Sequence, residues 1–302
     1  MARLTRRRAA TAITLASVAI AMAACGARGT SANSPGSTSD LSARIRAQHI
    51  VAAPKNILAA AVPQPGGAMW VLAGSPTSRG LFELDPTSGQ VFASISVSDA
   101  ARSVAQAATG MLGLALGTYR TGALELLDGR TAKVIRTVPL SAPARDVVVG
   151  SDGTTFYVLT GWGSASSVTI VDSQRGQVRG TVPVPLEAVS IAPDVQQTTL
   201  YALQRDGRVS QISIADGKAL ATFVVGNSGQ SLALSPDGLT LYALKDTDAA
   251  ANIAAVDVAT ESVRRVLPAP SNCLELLVSA SGSQLYEVVG TAGYGNIQVF
   301  AA

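Results

Sequence analysis

The 302 residues predict an all-β chain built from repeated four-stranded units, and three observations carry that expectation. A phrase of apolar–x–apolar residues followed by a turn recurs, as Leu81-Phe82-Glu83-Leu84-Asp85, Leu124-Glu125-Leu126-Leu127-Asp128 and Val168-Thr169-Ile170-Val171-Asp172. Weaker copies follow at Ile212-Ser213-Ile214-Ala215, Ala255-Val256-Asp257 and Ile297-Gln298-Val299-Phe300, which places the phase position at 85, 128, 172, 215, 257 and 300. A second phrase keeps step with the first: Ser235-Pro236-Asp237-Gly238 before Leu241-Tyr242, Ser151-Asp152-Gly153 before Phe156-Tyr157, and looser forms at Ala192-Pro193-Asp194 and Ser279-Ala280-Ser281-Gly282. Asp-Gly between alternating apolar runs is a hairpin signal. The third observation is composition. Charged residues are only 14% and hydrophobic residues 47%, where a soluble domain carries about 25% charge, so a helical coiled coil is excluded.

Taken in chain order, the first segment is a leader. Residues 1–24 hold Arg6-Arg7-Arg8, then an apolar run from Ala9 to Ala24, the layout of a secretory signal peptide. The run is shorter than the roughly 20 apolar residues of a spanning helix. Four of the 23 basic residues lie in this leader; without them 19 basic residues face 20 acidic ones. The basicity therefore belongs to export, and nucleic-acid binding is not expected. Met22-Ala23-Ala24-Cys25 resembles the bacterial lipobox, which implies lipidation of Cys25 and anchorage in the membrane by acyl chains (palmitate among them). The arginines allow either general or twin-arginine export. Residues 25–44, rich in Gly, Ser, Thr and Pro, read as a flexible tether.

Residues 45–302 form the folded body. Each unit reads as an apolar strand, a tight turn, a strand bearing Tyr, a variable loop, a third strand, an Asp turn and a fourth strand. Four strands in a repeat of 42 to 44 residues is the signature of a β-propeller blade. Six units fit after position 44, with seven blades as the alternative. The last unit ends at Ala302 after its third strand, and Ile45–Val51 is expected to supply the missing strand and close the ring, removing exposed sheet edges. The SPDG-x₃-Tyr phrase with its Asp turn resembles the YVTN-type bacterial propeller repeat over residues 56–302. Tyr157-Val158-Leu159-Thr160, Tyr201-Ala202-Leu203-Gln204 and Tyr242-Ala243-Leu244-Lys245 stand where that family has its tetrapeptide.

Loops on a rigid scaffold are where function concentrates. Counting back from each first hairpin gives Arg102, Arg145, Glu187 and Gln230 at the channel mouth, with Leu58 and Leu274 in the other two units and Asp146 and Asn272 beside the ring. These are the candidate ligand-binding residues; Arg102 and Arg145 suit bidentate recognition of a carboxylate. The alternative is that they pair with one another and stitch blades together. The loops between second and third strands carry Tyr119, Arg120, Trp162, Arg205, Asp206 and Tyr294 as candidate partner contacts. Asp246-x-Asp248 offers two carboxylates, far short of a Ca²⁺ site.

Catalytic signals are sparse. His49 is the sole histidine and falls in the closing strand, so neither a Ser–His–Asp triad nor a histidine zinc site is expected. Cys273 reads as a buried thiol. No cofactor is implied, and no catalytic or metal-ligating residue is assigned. The expected function is a monomeric, membrane-anchored, extracytoplasmic lipoprotein whose propeller binds a protein, peptide or envelope glycan without catalysis. The resemblance leaves a lactonase-like or metal-dependent hydrolase at the channel mouth as the alternative reading; a quinone-dependent dehydrogenase would need an aromatic cofactor platform that is not seen.

Overall fold

A computed structural model describes residues 47–302, apart from 63–66, 163–164, 248–249 and 292. The leader, Cys25, the tether and Asp248 lie outside the described residues.

Short apolar runs separated by Asp and Gly turns give 24 strands among the described residues, grouped into six antiparallel four-stranded sheets. Blade one comprises β2 (Ile57–Ala61), β3 (Met69–Ser75), β4 (Ser78–Leu84) and β5 (Val91–Val97). Blade two holds β6 (Ala101–Gln106), β7 (Met111–Gly117), β8 (Gly122–Asp128) and β9 (Lys133–Leu140). Blade three holds β10 (Ala144–Val149), β11 (Thr155–Thr160), β12 (Ser167–Asp172) and β13 (Gln177–Pro183). Blade four holds β14 (Ala188–Pro193), β15 (Thr199–Gln204), β16 (Arg208–Ser213) and β17 (Ala219–Val224). Blade five holds β18 (Ser231–Leu234), β19 (Thr240–Thr247), β20 (Ala250–Asp257) and β21 (Ser262–Pro268). Blade six takes β22 (Cys273–Val278), β23 (Gln284–Thr291) and β24 (Tyr294–Ala301) from the end of the chain, and β1 (His49–Ala52) from its beginning. The fold is a six-bladed β-propeller closed by an N-terminal strand.

The core lies between blades rather than within them. Each interface is an aliphatic cluster drawn from two neighbouring sheets, such as Leu81, Ala101, Val104, Leu112 and Leu127 between blades one and two. The second strands of the blades are buried along most of their length and the outermost strands are largely exposed, so that β5 and β9 present most of their side chains to solvent. The Asp turns hold their own geometry. Asp85 Oδ1 accepts from the backbone N–H of Thr87 (2.7 Å) and Ser88 (2.8 Å), and Asp128 repeats this with Arg130 and Thr131. In Ser235-Pro236-Asp237-Gly238, Gly238 takes a φ of 74°, a left-handed conformation that glycine adopts without strain.

Strand register corrects two phase positions. Thr199 faces Ser213 where Thr155 faces Asp172, so the fourth turn is centred on 213, not 215. Gln284 faces Ala301, which moves the last from 300 to 301.

Candidate functional site

Because the strands alternate in direction, the blade-to-blade linkers and the loops between second and third strands share one face of the disc, here the linker face. The two hairpins of each blade share the other, the turn face. Each innermost strand runs from the linker face to the turn face along the channel.

A bulge sits near the start of the innermost strand in five blades, between Ile57 and Ala59, Ala101 and Ser103, Ala144 and Asp146, Ala188 and Ser190, and Cys273 and Glu275. The residue just after the bulge is register-equivalent around the ring: Ala59, Ser103, Asp146, Ser190, Ser231 and Glu275, facing Leu72, Ala115, Leu159, Leu203, Leu244 and Val288. Five of these six side chains accept a hydrogen bond from the backbone N–H one residue further on in the next blade. Ser103 Oγ accepts from Val147 (3.3 Å), Ser190 Oγ from Leu232 (3.1 Å), Ser231 Oγ from Leu276 (3.1 Å) and Glu275 Oε2 from Ala60 (2.8 Å). Asp146 takes the same bond from Ile191 and gathers Ser103 Oγ (3.1 Å) and Ser190 Oγ (3.3 Å) as well. Ala59 has no acceptor to offer.

Below this polar ring a cavity of about 480 Å³ extends along the channel to the turn face. Asp146, Ser190, Ser231 and Glu275 line its inner end, and Ser151, Asp194, Ser235 and Ser279 its rim. The wall between is aliphatic, from Val104, Val147, Ile191, Leu232 and Leu276. No Lys, Arg or His is among the lining residues. Asp146 and Glu275 belong to the third and sixth blades, opposite one another in the ring. Burial pushes the Asp146 carboxyl above the ordinary range against the pull of its hydrogen bonds. Burial, reinforced by the Asp146 charge, pushes Glu275 well above it.

The predicted mouth residues are distributed differently. Asp146 alone among them reaches the cavity. Arg102, Arg145 and Gln230 occupy equivalent positions at the linker-face end, as counted, but do not line it. Glu187 does not belong with them. Asp194 opens its turn, donating its N–H to Thr199 O as Gly150 does to Thr155 O, so counting back from it lands two residues short and the true equivalent is Val189. Glu187 instead shares the place of Asn272 and Asn56: all three have positive φ (61°, 64° and 57°), and their carbonyls receive the N–H of Arg205, Gly290 and Gly74. Glu275 was missed because it sits inside the apolar run Cys273–Val278; the signal that finds it is polarity one position after the counted residues.

On the linker face, Arg145 stacks on Trp162 with Cζ 4.9 Å from the ring centroid, and its Nη2 donates to Ser166 Oγ at 3.4 Å. Its Nε is buried without a partner, and burial lowers its pKa despite nearby Asp146. Arg102 is exposed and donates through Nε to Gly117 O (3.1 Å). Tyr119, Arg120, Trp162, Arg205 and Asp206 are exposed loop residues and Tyr294 is the exposed first residue of β24; Asp206 pairs with Arg208 and Tyr294 with Asn296. His49 Nε2 meets Pro86 O at 3.2 Å on the outer strand, and Cys273 is buried. Among the described residues no group of three or more His, Cys, Asp or Glu is arranged to hold a metal ion.

Fold and channel together define a six-bladed propeller with a small-ligand-sized cavity on its axis. Its architecture is similar to that of Kuenenia stuttgartiensis hydrazine synthase, with a TM-score of 0.64, 15% identity and coverage of 82% of this chain and 83% of that one. At that identity the likeness shows the fold alone. No protein family matches the chain at the level of sequence, and no curated protein does.

Proposed function

We propose that this chain is an extracytoplasmic lipoprotein, tethered through Cys25, whose YVTN-like propeller is a non-catalytic binding module. Its channel takes a ligand or partner side chain that carries a cationic, donor-rich group on an aliphatic stem. One observation carries the reading: two carboxylates, Asp146 and Glu275, line the inner end of a cavity whose walls are aliphatic and whose lining holds no cation. Two acids in one desolvated space repel each other, and a bound ammonium or guanidinium relieves that repulsion. Basic peptides and amine-bearing envelope components present the required group.

The test is calorimetric titration of the purified body with n-butylammonium and with a Lys-containing tripeptide. Binding is expected to weaken at least tenfold in Glu275→Gln and in Asp146→Asn. Affinity should rise with pH, because both carboxyls have raised pKa values and must lose their protons to receive a cation. Equal affinity in the wild-type protein and both variants would end the proposal. The hydrolase reading has a separate outcome: a stoichiometric divalent ion whose chelation abolishes lactone hydrolysis. For the anchor, Cys25→Ser should release the protein from membranes.

A further inference from the structure

One blade breaks the repeat at a single position on its third strand. Two residues before Leu81 stands Arg79; at the register-equivalent places the other blades have Gly122, Ser166, Gly207, Ala251 and Gly295. Small residues are needed there because the strand meets the linker into the next blade. A Cβ on Gly122 would lie 2.2 Å from Ala142 O, on Gly207 2.5 Å from Gly226 O, and on Gly295 2.3 Å from Pro54 O. Blade one puts a guanidinium into the seam that the others keep closed, where Ser98–Ala100 links β5 to β6.

Arg79 is 8% exposed, and its Nε and Nη1 are buried with no hydrogen-bond partner. Burial lowers its pKa, the charge of Arg102 in the next blade lowers it further, and Asp99 in the linker opposes both. Asp99 is exposed and, among the described residues, forms no ion pair with Arg79. A buried guanidinium normally has its donors satisfied, because the desolvated charge is otherwise costly. Here Arg79 keeps two buried donors unused, and the exposed Arg102 of the next blade, whose Nε is taken by Gly117 O, is near enough for the two charges to act on each other. Paired guanidinium forks suit an oxyanion, whose two oxygens accept parallel N–H bonds.

We propose that the seam between blades one and two on the linker face is an oxyanion-binding site, in which Arg79 and Arg102 together hold a carboxylate or phosphate group. It lies apart from the channel cavity, whose lining includes neither residue.

Thermal unfolding is measured while sodium acetate or sodium phosphate replaces sodium chloride at constant ionic strength. The wild-type protein should show a saturable rise in Tm with at least one oxyanion, and the tighter of the two identifies the source chemistry. Arg79→Met fills the same seam without charge and should abolish the rise; Arg102→Ala should weaken the midpoint about tenfold. Asp99→Asn removes the competing carboxylate and should tighten binding. The proposal is overturned if neither oxyanion gives a saturable effect, if Arg79→Met titrates like the wild type, or if Asp99→Asn weakens the response. Should Arg79→Met fail to fold, Arg102→Ala and Asp99→Asn decide the matter by the same readout.

Discussion

Glu287 occupies a place on β23 where the other five blades carry Val71, Leu114, Val158, Ala202 and Ala243. It is 1% exposed, its Oε2 has no partner, and burial pushes its pKa from 4.5 up to about 8. At neutral pH the folded protein therefore holds this carboxyl mostly protonated, while the unfolded chain ionises it. The native state binds more protons between the two pKa values, so the contribution of this group to stability is full below pH 4.5 and is lost as pH rises to about 8. At about 1.4 kcal/mol per pKa unit the loss is on the order of 5 kcal/mol. Glu287→Gln should flatten that slope, read as the urea midpoint at several pH values from 5 to 9. A wild-type slope retained in the variant would place the titration elsewhere. Asp152 works in the opposite sense: bonds from Thr154 and Thr155 lower it to about 2, so its contribution is lost only in strong acid.

Strand β1 shows what closes the ring, and how far the sequence reveals it. Its register sets His49 against Val299 and Val51 against Ile297, and Val51 is 1% exposed among Ile57, Tyr286 and Val299. Val51→Asp would bury an unpaired carboxylate at the closure and should destabilise the protein by roughly 3 kcal/mol, seen as a lower Tm in calorimetry. Removing His49–Ala52 altogether would bare the edge of β24 and should convert a monodisperse gel-filtration profile to larger species. The closing strand was readable because the last repeat ends one strand short, and the blades because Asp turns and Asp-Gly hairpins return in phase. The fourth blade misled because its first turn opens with Asp194 itself, closed by Gln197 in a left-handed conformation, so its Asp marks a different place from Asp152. Which end of the channel is open was not legible either. That depends on how far side chains at the bulge reach across the axis, a property of six strands together and of no single repeat.

At the scale of the whole disc, the ring of side-chain bonds around the channel makes the six interfaces unequal. From blade two through blade six back to blade one, an acceptor from the preceding blade satisfies a backbone N–H of the following one. At the seam between blades one and two, Ala59 supplies none to Val104, and the buried guanidinium of Arg79 lies in the same seam. A closed ring of packed sheets opens first where neighbouring blades are least joined, and local opening governs amide exchange. The N–H of Val104 should therefore exchange with deuterium faster than those of Val147, Leu232 and Leu276, although all four residues are deeply buried. Ala59→Ser places a hydroxyl where Ser103, Ser190 and Ser231 already carry one. It should slow Val104 exchange and raise stability by about 1 kcal/mol, the net worth of one buried hydrogen bond. Ser231→Ala should do the reverse at the seam between blades five and six, leaving Leu276 N–H without its acceptor at a loss of about 1–3 kcal/mol. If the four amides exchange alike in the wild-type protein, and Ala59→Ser changes none of them, the ring bonds do not set where the disc opens.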